Sequence, residues 1–502
     1  MRGIGLGIVG VAALTTLAAA DARPPATSTI HFELGSPQHV IAGMTFGLLR
    51  SDDGGAHWKW MCERAIGYGG TYDPSYSFSP TGTIFATTFE GLTVMRDPPQ
   101  GDSCTFAPAA SGTTFVSVDQ IGPNGDVFYT AAEPTDAKVY RSSDDGVTFP
   151  SSGSPGQNND WWDSLVVAPS DPQRVYVTGY RFQKLCSNNA SMTCTTAADC
   201  GGGTATCDSH KVQLLDRSDN GGVTWTALSQ IGLTLSNQST IDVVGVDHTV
   251  ADTLYIHVSL ENGVQGDGLY KSNDAGATWS KILATTDPLG LAFLAKQDGK
   301  LVASTLTQGT QVSDGGASCT SQASCNWAAL SSAPHINCLV ENPSDHTVWA
   351  CTRNYTTQTI TGDGYGIMKT SDLSTWTGVL RFQDIDGVVA CPSTTVQTQQ
   401  CVNSYNGQPS VWCCLRDQLG ITDTSVDCTG ANSCGASSWQ DGAPDGPPDG
   451  AATTPDGAAD TADAGNFPTG SRKGCCNAGG SAPVSLLLAL WVSLTLRKRR
   501  RR

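Results

Sequence analysis

Basic side chains are scarce in this chain: 29 Lys+Arg stand against 46 Asp+Glu in 502 residues, a net charge of −17. A nucleic-acid partner needs a basic face to neutralise phosphates, so that class of partner is excluded. Acidity of this kind keeps an exported chain soluble. The eight histidines form no cluster; His57 falls inside a repeat, and His248 and His257 in or near expected strands. There is no Gly-Lys-Ser phosphate loop, no nucleophile elbow and no Cys-x2-Cys pair. No cofactor and no metal is therefore expected. The apolar run near the C-terminus, Ala482–Leu496, is shorter than the ~20 residues of a comfortable membrane span.

What is abundant is glycine (56) and cysteine (18). Residues 1–20 read as a signal peptide: Arg2 gives the positive start, Ile4–Leu17 the apolar stretch, and Ala18 and Ala20 the small residues before a cut. Export places the cysteines in an oxidising compartment, where disulfides are the expected state. Setting aside Cys475 and Cys476 leaves sixteen, an even number.

The organising feature is an internal repeat. Ser51, Asp53, Gly55 and Trp58 recur as Ser142, Asp144, Gly146 and Phe149, then as Ser218, Asn220, Gly222 and Trp225, and again as Ser272, Asp274, Gly276 and Trp279. Thr148, Thr224 and Thr278 fill the position before the aromatic in three copies. Degenerate copies lie at 94–106, 312–327 and 369–376, so the starts fall at Ser51, near Arg96, Ser142, Ser218, Ser272, Ser313 and Thr370. An Asp can accept backbone N–H bonds and lock a turn, a Gly supplies positive φ, and a Trp buries a large area. These residues therefore read as structural. A second strand–turn–strand pattern precedes each copy, as in SFSPTGTIFATTF and LVVAPSDPQRVYVTGY. Two hairpins make four strands, and four-stranded units at this spacing are propeller blades. The expected fold is all-β: a propeller of about seven four-stranded blades over 28–385, followed by a cysteine-rich segment. An eighth blade stays open, because 30–43 and 386–402 both look like a first hairpin; these ends may alternatively share one blade and close the ring. Residues 386–436 read as that cysteine-rich segment or a degenerate closing blade, and 437–472 as a disordered acidic Pro/Gly/Asp stalk. The stalk's Asp-Gly pairs lack EF-hand spacing.

The repeat is similar to the Asp-box, or BNR, repeat of sialidases, xyloglucan-type glycoside hydrolases and sortilin-like receptors. With its trailing cysteines the chain resembles the sortilin ring, with fewer boxes. A sialidase would need an arginine triad, a Tyr/Glu pair and an Arg-Ile-Pro start; the last is absent, and Arg50, Arg141 and Arg217 directly precede repeats. The tail at 473–502, with Cys475, Cys476, an apolar run and the cationic end 497–502, closely resembles the MYXO-CTERM sorting domain of myxobacteria. That resemblance implies cleavage by a membrane sorting protease near the cysteines and retention at the cell surface.

Candidate chemistry is confined to a few residues. Asp160, Trp161, Trp162 and Asp163 in NDWWDS form the sharpest surface candidate, a platform for stacking sugars, against the plainer reading of a tryptophan pair packed between blades. Asp242 and Asp247 sit with Asp163 at or near first-strand positions that could face the channel; a glycosidase needs two such carboxylates. The insert cysteines Cys186, Cys194, Cys200 and Cys207 lack zinc spacing and read as disulfides. Cys319 and Cys325 close a short insertion, Cys338 and Cys351 bridge one hairpin, and Cys62 and Cys104 form a further candidate pair. The function expected is a surface-anchored, non-catalytic binding or adhesion propeller with an extracellular glycan or protein ligand. A surface glycoside hydrolase is the alternative.

Overall fold

The four full repeats fold into the same turn. Ser142 Oγ donates to Asp144 Oδ1 at 2.6 Å and accepts the Gly146 N–H at 2.9 Å, while Asp144 accepts the Thr148 N–H at 2.9 Å and its hydroxyl at 2.6 Å. Ser272 and Asp274 repeat this pattern with Gly276 and Thr278, and Asn220 takes the same place beside Ser218. In the first repeat Asp53 accepts the His57 N–H at 2.9 Å. The glycines have positive φ, 88° at Gly55 and 73° at Gly146. They are also points of close approach. A Cβ at Gly55 would lie 2.7 Å from the Trp349 ring, and one at Gly146 only 2.4 Å from Phe85. Each repeat thus turns its own hairpin and presses on the preceding blade.

In this computed structural model the described residues are 24–429, apart from 69–72, 89–90, 110–115, 132–136, 202–203, 262–265, 286–290, 306–307, 357–360 and 407–408. They form a β-propeller of seven antiparallel sheets, each from one continuous stretch of chain. Blade 1 holds strands Thr27–Phe32, Val40–Met44, Gly47–Ser51 and Lys59–Met61. Blades 2 to 7 follow at 76–108, 116–153, 161–227, 240–285, 292–330 and 338–380. The first strands of successive blades meet in cyclic order, and that of blade 7 meets that of blade 1. The middle strands are almost wholly buried, as in Ile84–Thr88, Val127–Ala131 and Leu301–Thr305. Apolar clusters lie between neighbouring blades; Tyr176, Leu215, Ile241, Ile256 and Trp279 fill the space between blades 4 and 5.

A cation just before the turn links most blades to the next. Arg50 forms a two-pronged 2.8 Å pair with Asp97, and Arg96 Nη2 donates to Asp145 O at 2.6 Å. Arg141 Nη1 reaches Gly221 O (3.5 Å), Arg217 Nη1 reaches Ala275 O (3.0 Å), and Lys271 Nζ reaches Gly316 O (2.6 Å). Five latches therefore run from blade 1 to blade 6. Val312 interrupts the series in blade 6, and in blade 7 the Lys369 ammonium lies 5.3 Å from the Trp349 ring centroid.

The seam between blades 7 and 1 is held differently. The segment after blade 7 runs parallel to the outer strand of blade 1, bridging at Trp60 and Val388. Trp60 N donates to Gly387 O at 2.9 Å, and Val389 N to Trp60 O at 3.0 Å. A helical turn, Gln397–Val402, and a helix, Val411–Leu419, complete a cap in which Trp412 packs 5.4 Å from Trp60. Disulfides fasten this cap: Cys62–Cys401, Cys104–Cys391 and, within it, Cys413–Cys428. Two sequence expectations are corrected here. Among the described residues there is no eighth blade, and 386–402 forms no hairpin, because its backbone pairs with an existing sheet edge and then turns helical. Cys62 does not pair with Cys104, since each is taken by the cap. Cys319–Cys325 and Cys338–Cys351 are the local bridges that the spacing suggested. The expected signal peptide, stalk and sorting tail, with Cys475 and Cys476, lie outside the described residues. Among the described residues no helix is long and apolar enough to cross a membrane.

Candidate functional site

Blade 4 departs from the common plan. Its second and third strands, Asp171–Cys186 and Cys207–Ser218, stay in register from Val175↔Ser218 to Cys186↔Cys207. The first strand, Trp161–Ala168, begins opposite Tyr180, so the hairpin beyond Tyr180 and Gln213 projects as a finger. The repeat turn follows Ser218, at the other end of the blade, so the finger and the turns occupy opposite rims. The strand Asn189–Thr193 and the turn Ala197–Cys200 fold back on the finger, which Cys186–Cys200 and Cys194–Cys207 staple. Phe182, 69% exposed, stands on its side, and Met192 is exposed on the strand that folds back.

The candidate residues separate at the finger's base. Trp161 is half-buried and stacks on Tyr180 with centroids 6.4 Å apart; Tyr180 meets Phe182 edge-on at 5.5 Å and Lys211 Nζ at 4.4 Å. Trp162 points the other way and is 0% exposed, packed with Phe128, Val139, Leu165 and Val177 between blades 3 and 4. A platform of both tryptophans does not form, because strand alternation sends adjacent side chains to opposite faces; Trp162 takes the plainer reading, packed between blades, and Trp161 does not. Asp160 is buried, with Oδ2 accepting from Arg181 Nη2 and Gln157 N at 2.7 Å each. Burial raises its pKa. Asp163 is the extra residue of a bulge in the first strand. Burial, then the charge of Asp163, pushes the Tyr180 hydroxyl up to about 12.

The three first-strand carboxylates are not brought together. Asp163 and Asp242 both lie toward the finger rim of neighbouring blades, which Ser164 Oγ ties by accepting the Val243 N–H at 2.8 Å. Asp242 is opposite His257, whose Nε2 lies 2.8 Å from buried Asp267 Oδ2. Asp247 is at the other rim, closing a turn by accepting from Thr249 N and Oγ1 and Val250 N. Burial opposes ionisation there, but these hydrogen bonds outweigh it and lower the pKa. Asp247 thus caps a turn at the opposite end of its strand from Asp242.

Sequence reasoning missed Asp216. Its side chain is buried on the third strand of blade 4, and burial, reinforced by the charge of Asp160 and opposed by Arg181, lifts its pKa to about 7. An Asp just before an Arg-Ser repeat start carries no sequence signal of that environment. A cavity of about 340 Å³ lined by Lys369, Thr370, Asp372 and Thr375 lies at the turn of blade 7, away from all these residues.

No protein-family model matches the chain, and no curated protein does. Solved propellers do. The extracellular domain of a one-component system from B. thetaiotaomicron is 12% identical over 70% of this chain, with a TM-score of 0.44; the chain covers 39% of that protein, less than half its length. The Dos1 propeller is 9% identical with a TM-score of 0.42, over 70% of this chain and 82% of that one. A GH74 xyloglucanase from Xanthomonas campestris is 12% identical with a TM-score of 0.31, over 73% and 65%. At such identities the likeness is one of fold alone.

Proposed function

We propose that the chain is an exported, non-catalytic binding or adhesion propeller of the Asp-box type, held at the cell surface by a MYXO-CTERM-like tail and recognising an extracellular glycan or protein. The observation that carries this reading is the finger. A hairpin stapled by two disulfides, rising from an aromatic stack and presenting an exposed Phe182, is pre-organised for contact, and pre-organisation lowers the entropic cost of binding. The disulfides of ring, finger and cap suit an exported protein. The charge of −17 disfavours anionic partners.

A surface glycoside hydrolase is the second reading, favoured by Asp163 and Asp242 lying toward one rim of adjacent blades. Incubation of purified ectodomain with a polysaccharide panel separates the two. The binding reading expects retention of a ligand without release of reducing ends. Turnover that disappears in Asp163→Asn or Asp242→Asn would replace it with the hydrolase.

A further inference from the structure

Three of the four finger cysteines cluster by sulfur, and the fourth is bonded to one of them. The sulfur atoms of Cys186, Cys194 and Cys200 all lie within 4.8 Å of one another, and Cys207 is bonded to Cys194. Among the described residues no other cysteine trio meets that spacing. The observed bridges are Cys186–Cys200 and Cys194–Cys207, with Cα separations of 5.4 and 5.9 Å. Yet Cys186 and Cys207 are direct partners in the strand register. Directly opposed residues of antiparallel strands have Cα atoms roughly 4.5–5.5 Å apart, inside the roughly 4.4–6.8 Å window for a disulfide. The backbone therefore already accommodates a Cys186–Cys207 bridge. The complementary bridge, Cys194–Cys200, joins two sulfurs that are already neighbours.

We propose that the finger is a thiol–disulfide exchange site with two pairings, the observed one and Cys186–Cys207 with Cys194–Cys200, interconverted by a small-molecule thiol. Access sets the order of steps. Cys194 and Cys207 are half-buried, whereas Cys186 and Cys200 are buried, so the outer bridge is attacked first. The thiolate bonds to Cys207 sulfur, and the Cys194–Cys207 bond breaks, releasing the Cys194 thiolate. That thiolate attacks Cys200, breaking Cys186–Cys200 and freeing the Cys186 thiolate. The Cys186 thiolate then attacks Cys207, closes Cys186–Cys207 and expels the original thiolate. Two disulfides enter and two leave, so no electrons are gained or lost and the thiol is catalytic.

The two pairings hold the finger differently. The observed bridges tie the strand-bearing stem to the folded-back segment at Asn189–Thr193 and Ala197–Cys200. The exchanged bridges lock the stem across itself and close 194–200 into its own small ring. The segment that carries exposed Met192 then has no disulfide to the stem and is held only by its two chain ends. The exchange would change the contact surface, and it stands whether or not the ligand-binding reading does.

Trypsin cuts after Lys184 and Lys211 and releases Leu185–Lys211 with all four cysteines. The native protein is held in a buffer of reduced and oxidised glutathione, quenched with acid and alkylating agent, and digested. Electron-transfer fragmentation of that peptide then reads its bridges. The expected result is a growing Cys186–Cys207, Cys194–Cys200 population, with Cys62–Cys401 and Cys104–Cys391 unchanged. Persistence of the starting pairs alone, exchange that spreads to the cap, or the third pairing (Cys186–Cys194 with Cys200–Cys207) overturns the proposal. A Cys207→Ser variant gives an independent reading, because it leaves one thiol beside one disulfide. Alkylation should then be shared between Cys194 and Cys186; label at Cys194 alone overturns it.

Discussion

Cys62 and Cys401 are joined across 339 residues, the longest covalent closure in the described structure. With Cys104–Cys391 it fastens the C-terminal cap to blades 1 and 2, and the cap lies against the edge that follows the unlatched seam. Blade 1 is N-terminal throughout, and the ring is closed by an external clasp. Long loops are where a cross-link restricts the unfolded chain most. Replacing Cys401 and Cys391 together by Ser, with Cys62 and Cys104 also Ser, should cost about 2–5 kcal/mol for each of the two bridges in denaturant unfolding. Removing Cys319–Cys325, which closes only a short loop, should cost less. Equal losses would show that the cap does not hold the ring.

Asp216 makes stability depend on pH. Its carboxyl is raised to about 7 in the folded chain, from about 4 when unfolded. The neutral acid is the form that folding favours, so its stabilising contribution is complete below pH ~4 and is lost as pH rises through about 7. Thermal unfolding of the native protein should therefore weaken between pH 4 and 8 relative to Asp216→Asn, which removes the titration. Parallel curves for the two proteins across that range would contradict the assignment.

The two adjacent tryptophans should differ in cost. Trp162→Ala empties a site between blades 3 and 4 and should destabilise by ~3–5 kcal/mol, as should Trp279→Ala between blades 4 and 5. Trp161→Ala removes a half-buried ring and should cost less. Chemical denaturation measures all three, and equal losses at Trp161 and Trp162 would place both in the core.

The repeated turns made the fold legible in sequence, because each Ser, Asp and Gly acts within four residues of chain. Ser142, Asp144 and Gly146 need only one another, so their spacing alone announces the hairpin. Cys338 and Cys351 were readable for the same reason, as ends of one hairpin. What escaped depends on distant partners. Nothing near Cys62 points to Cys401, and the hairpin-like look of 386–402 comes from backbone that pairs in parallel with Trp60. The candidate site was half legible. NDWWDS marks the base of the finger, but a bulge at Asp163 and strand alternation decide which side chain is core. Tyr180, Phe182 and Lys211 carry no motif and join Trp161 only through register.

The anchoring proposal predicts processing. Surface material should lack Leu486–Arg502 in intact-mass measurement, and a double Cys475→Ser, Cys476→Ser change should abolish processing or retention. A mature form that still ends at Arg502 would mean a plain membrane anchor.

The central claim is that the finger rim binds and does not catalyse. The most direct measurement is binding of the ectodomain to glycan and peptide arrays, with Phe182→Ala beside the native protein. Phe182 is exposed, so its loss should leave unfolding unchanged. The account predicts a ligand retained by the native protein and bound at least about tenfold more weakly by the variant, a difference of about 1.4 kcal/mol, with the ligand recovered chemically intact. Equal binding by the two proteins, or a ligand recovered cleaved, would contradict it.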